Sequence, residues 1–179
     1  MSRPERRRAL LVTGMPGAGK SEFVGECARA GLKSIGMGDA VRSEAALAGV
    51  QADKIGEFAS AERERHGVRI WAKRTLTGMG PGAYVVDGLR SEEELREFRD
   101  RLGDDLVVVG IHASRATRLA RLAGRGRGDD AEDFDRRDAR ELGWGVGNVI
   151  ALTDVLIENE SSMDELRSEA RKLAARLLG

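Results

Sequence analysis

Gly14-Met15-Pro16-Gly17-Ala18-Gly19-Lys20-Ser21 decides how this chain folds. The stretch matches G-x-x-x-x-G-K-[ST], a phosphate-binding loop. An apolar run, Ala9-Leu10-Leu11-Val12, leads into it, and a helix-compatible run from Glu22 to Ala28 leaves it. Strand, glycine loop and helix in that order turn the pattern into a physical argument. The glycines let backbone N–H groups turn inward on a polyphosphate, and the helix that begins near Gly19 adds its positive dipole end. Lys20 is placed to reach the β- and γ-phosphates, and Ser21 to offer its hydroxyl to Mg²⁺. The whole run Gly14 to Ser21 is therefore expected to bind ATP. The competing reading is a Gly/Pro turn that happens to carry Lys-Ser. It leaves the filled fixed positions and the correct flanks unexplained.

The rest of the composition narrows the class. A chain of 179 residues suits one domain spanning 1–179. Hydrophobic residues make up 41% and charged residues 34%, as in a folded soluble domain. Lys plus Arg and Asp plus Glu both number 30, so the formal net charge is zero. That argues against general attraction to nucleic acid or to a membrane surface. Aromatic residues are only 4%, too few for a base-stacking platform. The single cysteine, Cys27, excludes an intrachain disulfide and suits a reducing compartment. Its spacing from Phe23 and Val24 marks it as a buried thiol rather than a nucleophile. The apolar run after Arg3–Arg8 is too short for a secretory signal, no run is long enough to span a bilayer, and the expected location is the cytoplasm.

Along the chain, strands alternate with helices. Strands are predicted at 9–13, 33–37, 83–87, 106–113 and 155–159. The run 106–113 is the most continuous and reads as the centre of a sheet, with His112 as a core histidine. Helices are predicted at 20–30, from Gly38-Asp39 to Gly49 with Asp39 as the cap, over 51–77 with a break at His66-Gly67, at 91–102, 116–123 and 138–142, and from Ser162 to Leu178. Ser91 with Glu94, and Ser162 with Glu165, fit capping boxes. Residues 124–135 are polar and glycine-rich and read as a loop. The alternation gives an α/β fold: a parallel sheet with helices on both faces, in three layers. Ligands of such sheets sit at the carboxyl ends of the strands.

Four groups of residues fall at that edge. Asp87 ends a strand and is a candidate Mg²⁺ ligand beside Ser21; its alternative is a turn with Gly88. Asp39 is placed to orient an acceptor hydroxyl, and Arg42 to grip an acceptor phosphate; alternatively they are a helix cap and a surface cation. Arg90 is a second candidate phosphate grip or a solvated cation before Ser91. Between 121 and 140 lies an arginine-dense stretch with Gly124, Gly126 and Gly128, which reads as a short closing lid or as a solvated charge run. Coupled to a phosphate loop, the lid is favoured, with Arg121 a candidate ATP contact and Arg125 and Arg127 candidate catalytic arginines. One cysteine and two scattered histidines suggest no zinc site.

These pieces resemble nucleoside monophosphate kinases of the adenylate kinase type. Gly38-Asp39-Ala40-Val41-Arg42 is similar to the Gly-Asp-x-x-Arg that opens their monophosphate-binding helix. Asp87-Gly88-Leu89-Arg90 resembles their Asp-Gly-Phe-Pro-Arg, without the Phe-Pro. Arg125-Gly126-Arg127-Gly128-Asp129-Asp130 resembles their lid run, and Arg137 and Arg140 fall where further lid-side arginines are found. Residues 137–145 and 154–159 look like archaeal adenylate-kinase-related proteins, of the nucleotide-kinase or dephospho-CoA-kinase-like kind. The resemblance implies a P-loop kinase fold with a five-stranded sheet in the order 2-3-1-4-5. It implies ATP and Mg²⁺, a catalytic set of Lys20, Asp39, Arg125 and Arg127, and acceptor-binding helices over 38–77. It implies a small nucleotide-like acceptor held by Asp39, Arg42, Arg90, Arg137 and Arg140, in a monomer or homodimer. A dephospho-CoA-kinase-like reading makes Asp39 a proton acceptor instead. A nucleotide-driven switch acting on RNA or protein is the alternative from another class, and it finds no clear use for Asp39, Arg42 and Arg90.

Overall fold

Residues 6–123 and 131–179 are described by the computed structural model. Five strands form one sheet: β1 (Arg7–Thr13), β2 (Lys33–Gly36), β3 (Gly82–Asp87), β4 (Leu106–His112) and β5 (Val155–Glu158). Their order is β2-β3-β1-β4-β5 and every pairing is parallel. β1 takes the centre because Ala9 to Val12 is apolar on both faces and is almost wholly buried. β4, expected there, lies one place to the side. An unbroken apolar run marks an interior strand, and periodicity does not rank interior strands against one another. Leu11 pairs with Val86 on one side and Val108 on the other, so a layer of branched side chains crosses the middle of the sheet.

Alternation along β1 divides the core. Leu10 and Val12 face α1 (Lys20–Arg29) and α9 (Met163–Leu178), where Phe23, Cys27, Leu166 and Ala170 close the layer. Ala9 and Leu11 face the other layer. It is built from α2 (Met37–Leu47), α4 (Ile70–Gly78), α5 (Glu92–Leu102) and α8 (Val146–Ala151), with Trp71, Leu95, Phe98 and Val149 inward. α3 (Ile55–His66) packs outside α4 through Trp71, whose indole N–H donates to the Ala59 carbonyl at 3.1 Å. The remaining helices, α6 (Arg115–Ala123) and α7 (Ala131–Gly143), flank the carboxyl edge. Cys27 is the buried thiol expected: its surroundings push its pKa up to about 12, chiefly through desolvation.

Several local boundaries differ from the expectations, each for a visible reason. α2 starts at Met37 with Gly36 as its N-cap, so Asp39 is the third residue of the helix rather than its cap. Its carboxylate accepts the Gly36 N–H at 3.0 Å, which satisfies the helix start from inside. The break near His66 is real: Gly67 has φ 89° and separates α3 from α4. α7 begins at Ala131, so 131–135 is helix and not loop. Phe134 anchors that first turn, buried beneath the guanidinium groups of Arg115 and Arg118. α8 was not legible, because Gly145 and Gly147 hide a helix that exists to carry Val146 and Val149 into the core. His112 is exposed at the last position of β4, where the strand leaves the sheet, and is not a core histidine.

Trp71 is fully buried and ties α3 to α4. Trp71→Ala is therefore expected to cost about 3–5 kcal/mol of stability in urea unfolding, by cavity formation and by loss of the indole's hydrogen bond to Ala59. A loss below about 1 kcal/mol would contradict this packing. Cys27 should resist a disulfide reagent at mildly alkaline pH in the native protein and react at once in denaturant.

Candidate active site

The phosphate loop is shaped by contacts that only glycine tolerates. Gly14 leaves β1 with φ 148°, and a Cβ there would fall 2.3 Å from the Ile111 carbonyl oxygen of β4. Gly19 has φ 110°, and a Cβ there would meet the Asn159 side-chain amide at 2.4 Å. Between them Ala18 N–H donates to the Met15 carbonyl at 3.2 Å and closes the turn. The loop is held from three directions. Buried Asn159, just after β5, donates its amide N–H to the Ala18 carbonyl at 2.8 Å. Thr13 donates its hydroxyl to the Leu89 carbonyl at 3.2 Å, which ties the loop's entry to the segment after β3. Arg118 donates to the Pro16 carbonyl at 3.1 Å from α6.

Lys20 Nζ lies across the loop, donating to the carbonyls of Gly14 at 2.6 Å and Met15 at 3.1 Å. Burial lowers its pKa, and the nearby Asp87 and Glu141 carboxylates oppose that shift. A cleft of about 640 Å³ opens at this point. Its walls are Gly14, Pro16, Lys20 and Ser21 of the loop, Asp87 to Arg90 after β3, and Arg137, Arg140 and Glu141 of α7. The two candidate Mg²⁺ ligands, Ser21 and Asp87, thus share one cleft with Lys20. Three candidate acceptor residues, Arg90, Arg137 and Arg140, face it as well. Asp87 also accepts the Gly88 N–H at 2.8 Å, so the turn and an open coordination position coexist on one carboxylate.

Other expected residues lie elsewhere. Asp39 and Arg42 pair with each other at 2.5 Å, both side chains are 63% exposed, and neither is among the cleft's lining residues. Arg121 donates to the Asn159 carbonyl at 2.9 Å and so reaches the loop indirectly; its Nη1 is buried with no hydrogen-bond partner among the described residues. Arg125 and Arg127 lie outside the described residues.

Three features were not read from the sequence. The first is a buried fork: Arg118 donates to both Asp138 oxygens, at 2.7 and 2.6 Å, with the Phe134 ring 5.0 Å from the guanidinium carbon. It locks α6 and α7 to the loop. The second is Glu141, whose side chain is only 12% exposed and lies 3.5 Å from Arg90. The third is Trp144, whose ring carries the guanidinium groups of Arg90 and Arg140 at 4.7 and 5.2 Å. A pairing across twenty residues, such as Arg118 with Asp138, leaves no local signal; the helical spacing of Phe134 and Asp138 was the one clue available.

Arg118→Ala leaves Asp138 as a mostly buried, uncompensated carboxylate, and is expected to cost about 3–5 kcal/mol in chemical unfolding. The double variant Arg118→Met with Asp138→Leu should recover much of that loss, since no unpaired charge remains. Failure of the double variant to exceed the single one in stability would sink the assignment of an isolated buried pair.

A family model described as an AAA domain matches residues 10–143. A UPF0200 protein of Thermoplasma acidophilum is 44% identical over 170 residues, covering 92% of this chain and 93% of that one. Among solved structures, a gluconokinase from Sinorhizobium meliloti superposes with a TM-score of 0.58 at 18% identity, covering 98% of this chain and 95% of that one. A shikimate kinase from Acinetobacter baumannii, in complex with shikimate, gives 0.54 at 16% identity, covering 97% and 92%. These two likenesses show the fold. No described helix is long and apolar enough to cross a membrane.

Proposed function

The chain belongs to the UPF0200 family and carries the AAA domain, and from that premise we propose that it is an ATP-dependent kinase of a small, nucleotide-like acceptor. The observation that carries the reading is one cleft shared by the phosphate loop with Lys20 and Ser21, by Asp87 and Arg90 after β3, and by Arg137 and Arg140 of α7 facing them. Two anionic groups can meet there, one on each side. The gluconokinase and the shikimate kinase that share this fold favour small-molecule phosphoryl transfer.

The residues fit the implied cofactors. The cradle at Gly14 and Gly19 has no room for side chains and leaves backbone N–H groups to the phosphates. The first turn of α1 adds N–H groups that have no carbonyl one turn back. A hydroxyl and a carboxylate, Ser21 and Asp87, are hard oxygen donors suited to Mg²⁺ that keeps its waters. When bound, Mg²⁺ neutralises charge on the phosphate oxygens. Lys20 would leave the Gly14 and Met15 carbonyls for the β- and γ-phosphates. Arg90, with Arg137 and Arg140, would hold the acceptor in line. Arg121 is assigned to the ATP side through Asn159, and Arg125 and Arg127, in the segment between α6 and α7, to the transferring phosphoryl group. The lid is then the region 121–140, and the acceptor helices lie within 38–77.

Asp39 and Arg42 serve best as an acceptor-side pair that opens when the acceptor arrives. Their mutual pairing away from the cleft weighs against Asp39 as a proton acceptor, and so against the dephospho-CoA-kinase-like alternative. An ATP-driven switch leaves the second arginine wall without a task. Catalysis at a cytoplasmic small-molecule site, by a monomer or homodimer, remains the simplest reading.

The test is ADP release from Mg·ATP with a panel of nucleoside monophosphates, dephospho-CoA, gluconate and shikimate. Turnover with one member is expected. Lys20→Ala should lower it by about 10²-fold or more, through lost phosphate stabilisation. Arg90→Ala should raise KM for the acceptor at least about tenfold while the KM for ATP stays put. ATPase stimulated only by RNA or a protein partner, with no acceptor turned over, would replace the kinase reading with the switch.

A further inference from the structure

Arg90 lines the phosphate cleft and also a second cavity, of about 390 Å³, that opens on its far side. This pocket lies between Arg63 of α3, Glu94 at the start of α5, and Trp144 in the turn from α7 to α8. A smaller void of about 50 Å³ behind it is also bordered by Arg63, Arg90 and Glu94. We propose that the pocket is the subsite for the acceptor's ring, and that Glu94 selects rings carrying an amino group. The proposal rests on the kinase reading for the word acceptor; the ring subsite itself does not depend on ATP.

Three observations carry it. First, Glu94 is 2% exposed yet borders both voids. A carboxylate offers about four lone-pair sites. Here Oε2 accepts the Arg90 backbone N–H at 3.1 Å and Oε1 only a long contact from Arg63 at 3.4 Å. A buried carboxylate so thinly supplied with donors gains from each donor that a ligand brings. Burial raises its pKa, in keeping with that shortage. Second, Arg63 is paired with Glu94, and Arg90 turns toward Glu141 and the phosphate cleft, while Glu64 and Glu93 add further acidic groups to the lining. The chemistry left over is acceptor-rich and calls for N–H donors. Third, Trp144 is 43% exposed although two guanidinium groups lie over its ring, so part of an indole surface stays open beside the pocket for a planar group.

The resulting ligand has a phosphate at Arg90, a planar ring against Trp144, and an exocyclic amine at Glu94. Nucleoside monophosphates with amino-bearing bases meet that description. A keto group at the same ring position would place an oxygen against the carboxylate and be rejected.

Equilibrium binding tests this without ATP. Isothermal titration calorimetry is the readout, because both tryptophans would contribute to intrinsic fluorescence and Trp71 borders the smaller void. The probes are cytidine against uridine monophosphate and adenosine against inosine monophosphate, with inorganic phosphate as the reference. In the wild type the amino-bearing member of at least one pair should bind about tenfold or more tightly than its keto partner. Glu94→Gln keeps an oxygen to accept the Arg90 N–H, and with it the start of α5, but offers the ligand a mixed donor and acceptor. It should bring each pair to within about threefold, with the affinities for phosphate and Mg·ATP and the Tm unchanged. Equal discrimination in Glu94→Gln, no preference in the wild type, or phosphate binding with no nucleotide binding would each overturn the proposal. Failure of Mg·ATP to bind would instead overturn the kinase reading, and leaves the ring subsite to stand or fall on the nucleotide pairs.

Discussion

The close approach of the chain to the Ile111 carbonyl at Gly14 is the constraint on which the site depends. Without a Cβ, the backbone turns out of the central strand directly over β4, and the loop then lies flat enough for its N–H groups to surround a phosphate. Everything functional is measured from that turn. Lys20 reaches back to the Gly14 carbonyl, Thr13 fixes the Leu89 segment, and so Asp87 and Arg90 arrive at a set height above the loop. A parallel sheet supplies the rest, because all five strands end on the same side.

The opposite wall is built differently. It comes from helices rather than strand ends, and a buried guanidinium–carboxylate fork holds it. Arg118 and Asp138 desolvate two charges, a costly arrangement unless the geometry is good and further partners are present. Both conditions hold: two short hydrogen bonds, the Pro16 carbonyl, and the Phe134 ring. The pair therefore acts on position more than on net stability. It registers α6 and α7 against the phosphate loop, so that Arg137 and Arg140 face Lys20 across the cleft.

The phosphate loop and the alternation of strands and helices were legible because both are local. Gly14 to Ser21 is a pattern within eight residues, and strand order followed once a family resemblance supplied it. What escaped was non-local or masked by composition. Asp39 beside Gly38 has the local signature of a cap, but Gly36 starts the helix and Asp39 serves it from within. Glu94 looked like half of a capping box, and Ser91 does accept its N–H; its carboxylate, however, turns to the Arg90 N–H and to two voids. Glu141 and Trp144 sit in a stretch, 137–145, that the sequence marks only by family resemblance, and only the fold brings them to Arg90. His112 lay in an apolar run whose end could not be placed to the residue.

The bond from Asn159 to Ala18 spans 141 residues. On a ribosome, the loop therefore emerges early and waits, since both strands beside β1, the helices α6 and α7 and Asn159 itself are all made later. A nascent chain that stops short of β5 has the glycine turn but not the amide that secures it. The cradle is thus completed late in synthesis, nearly in step with completion of the sheet. Long-range parallel pairing of this kind also folds slowly, because loop closure must precede any reward from contact. A half-made chain in this way carries the glycine turn without the amide that secures it or the wall that faces it.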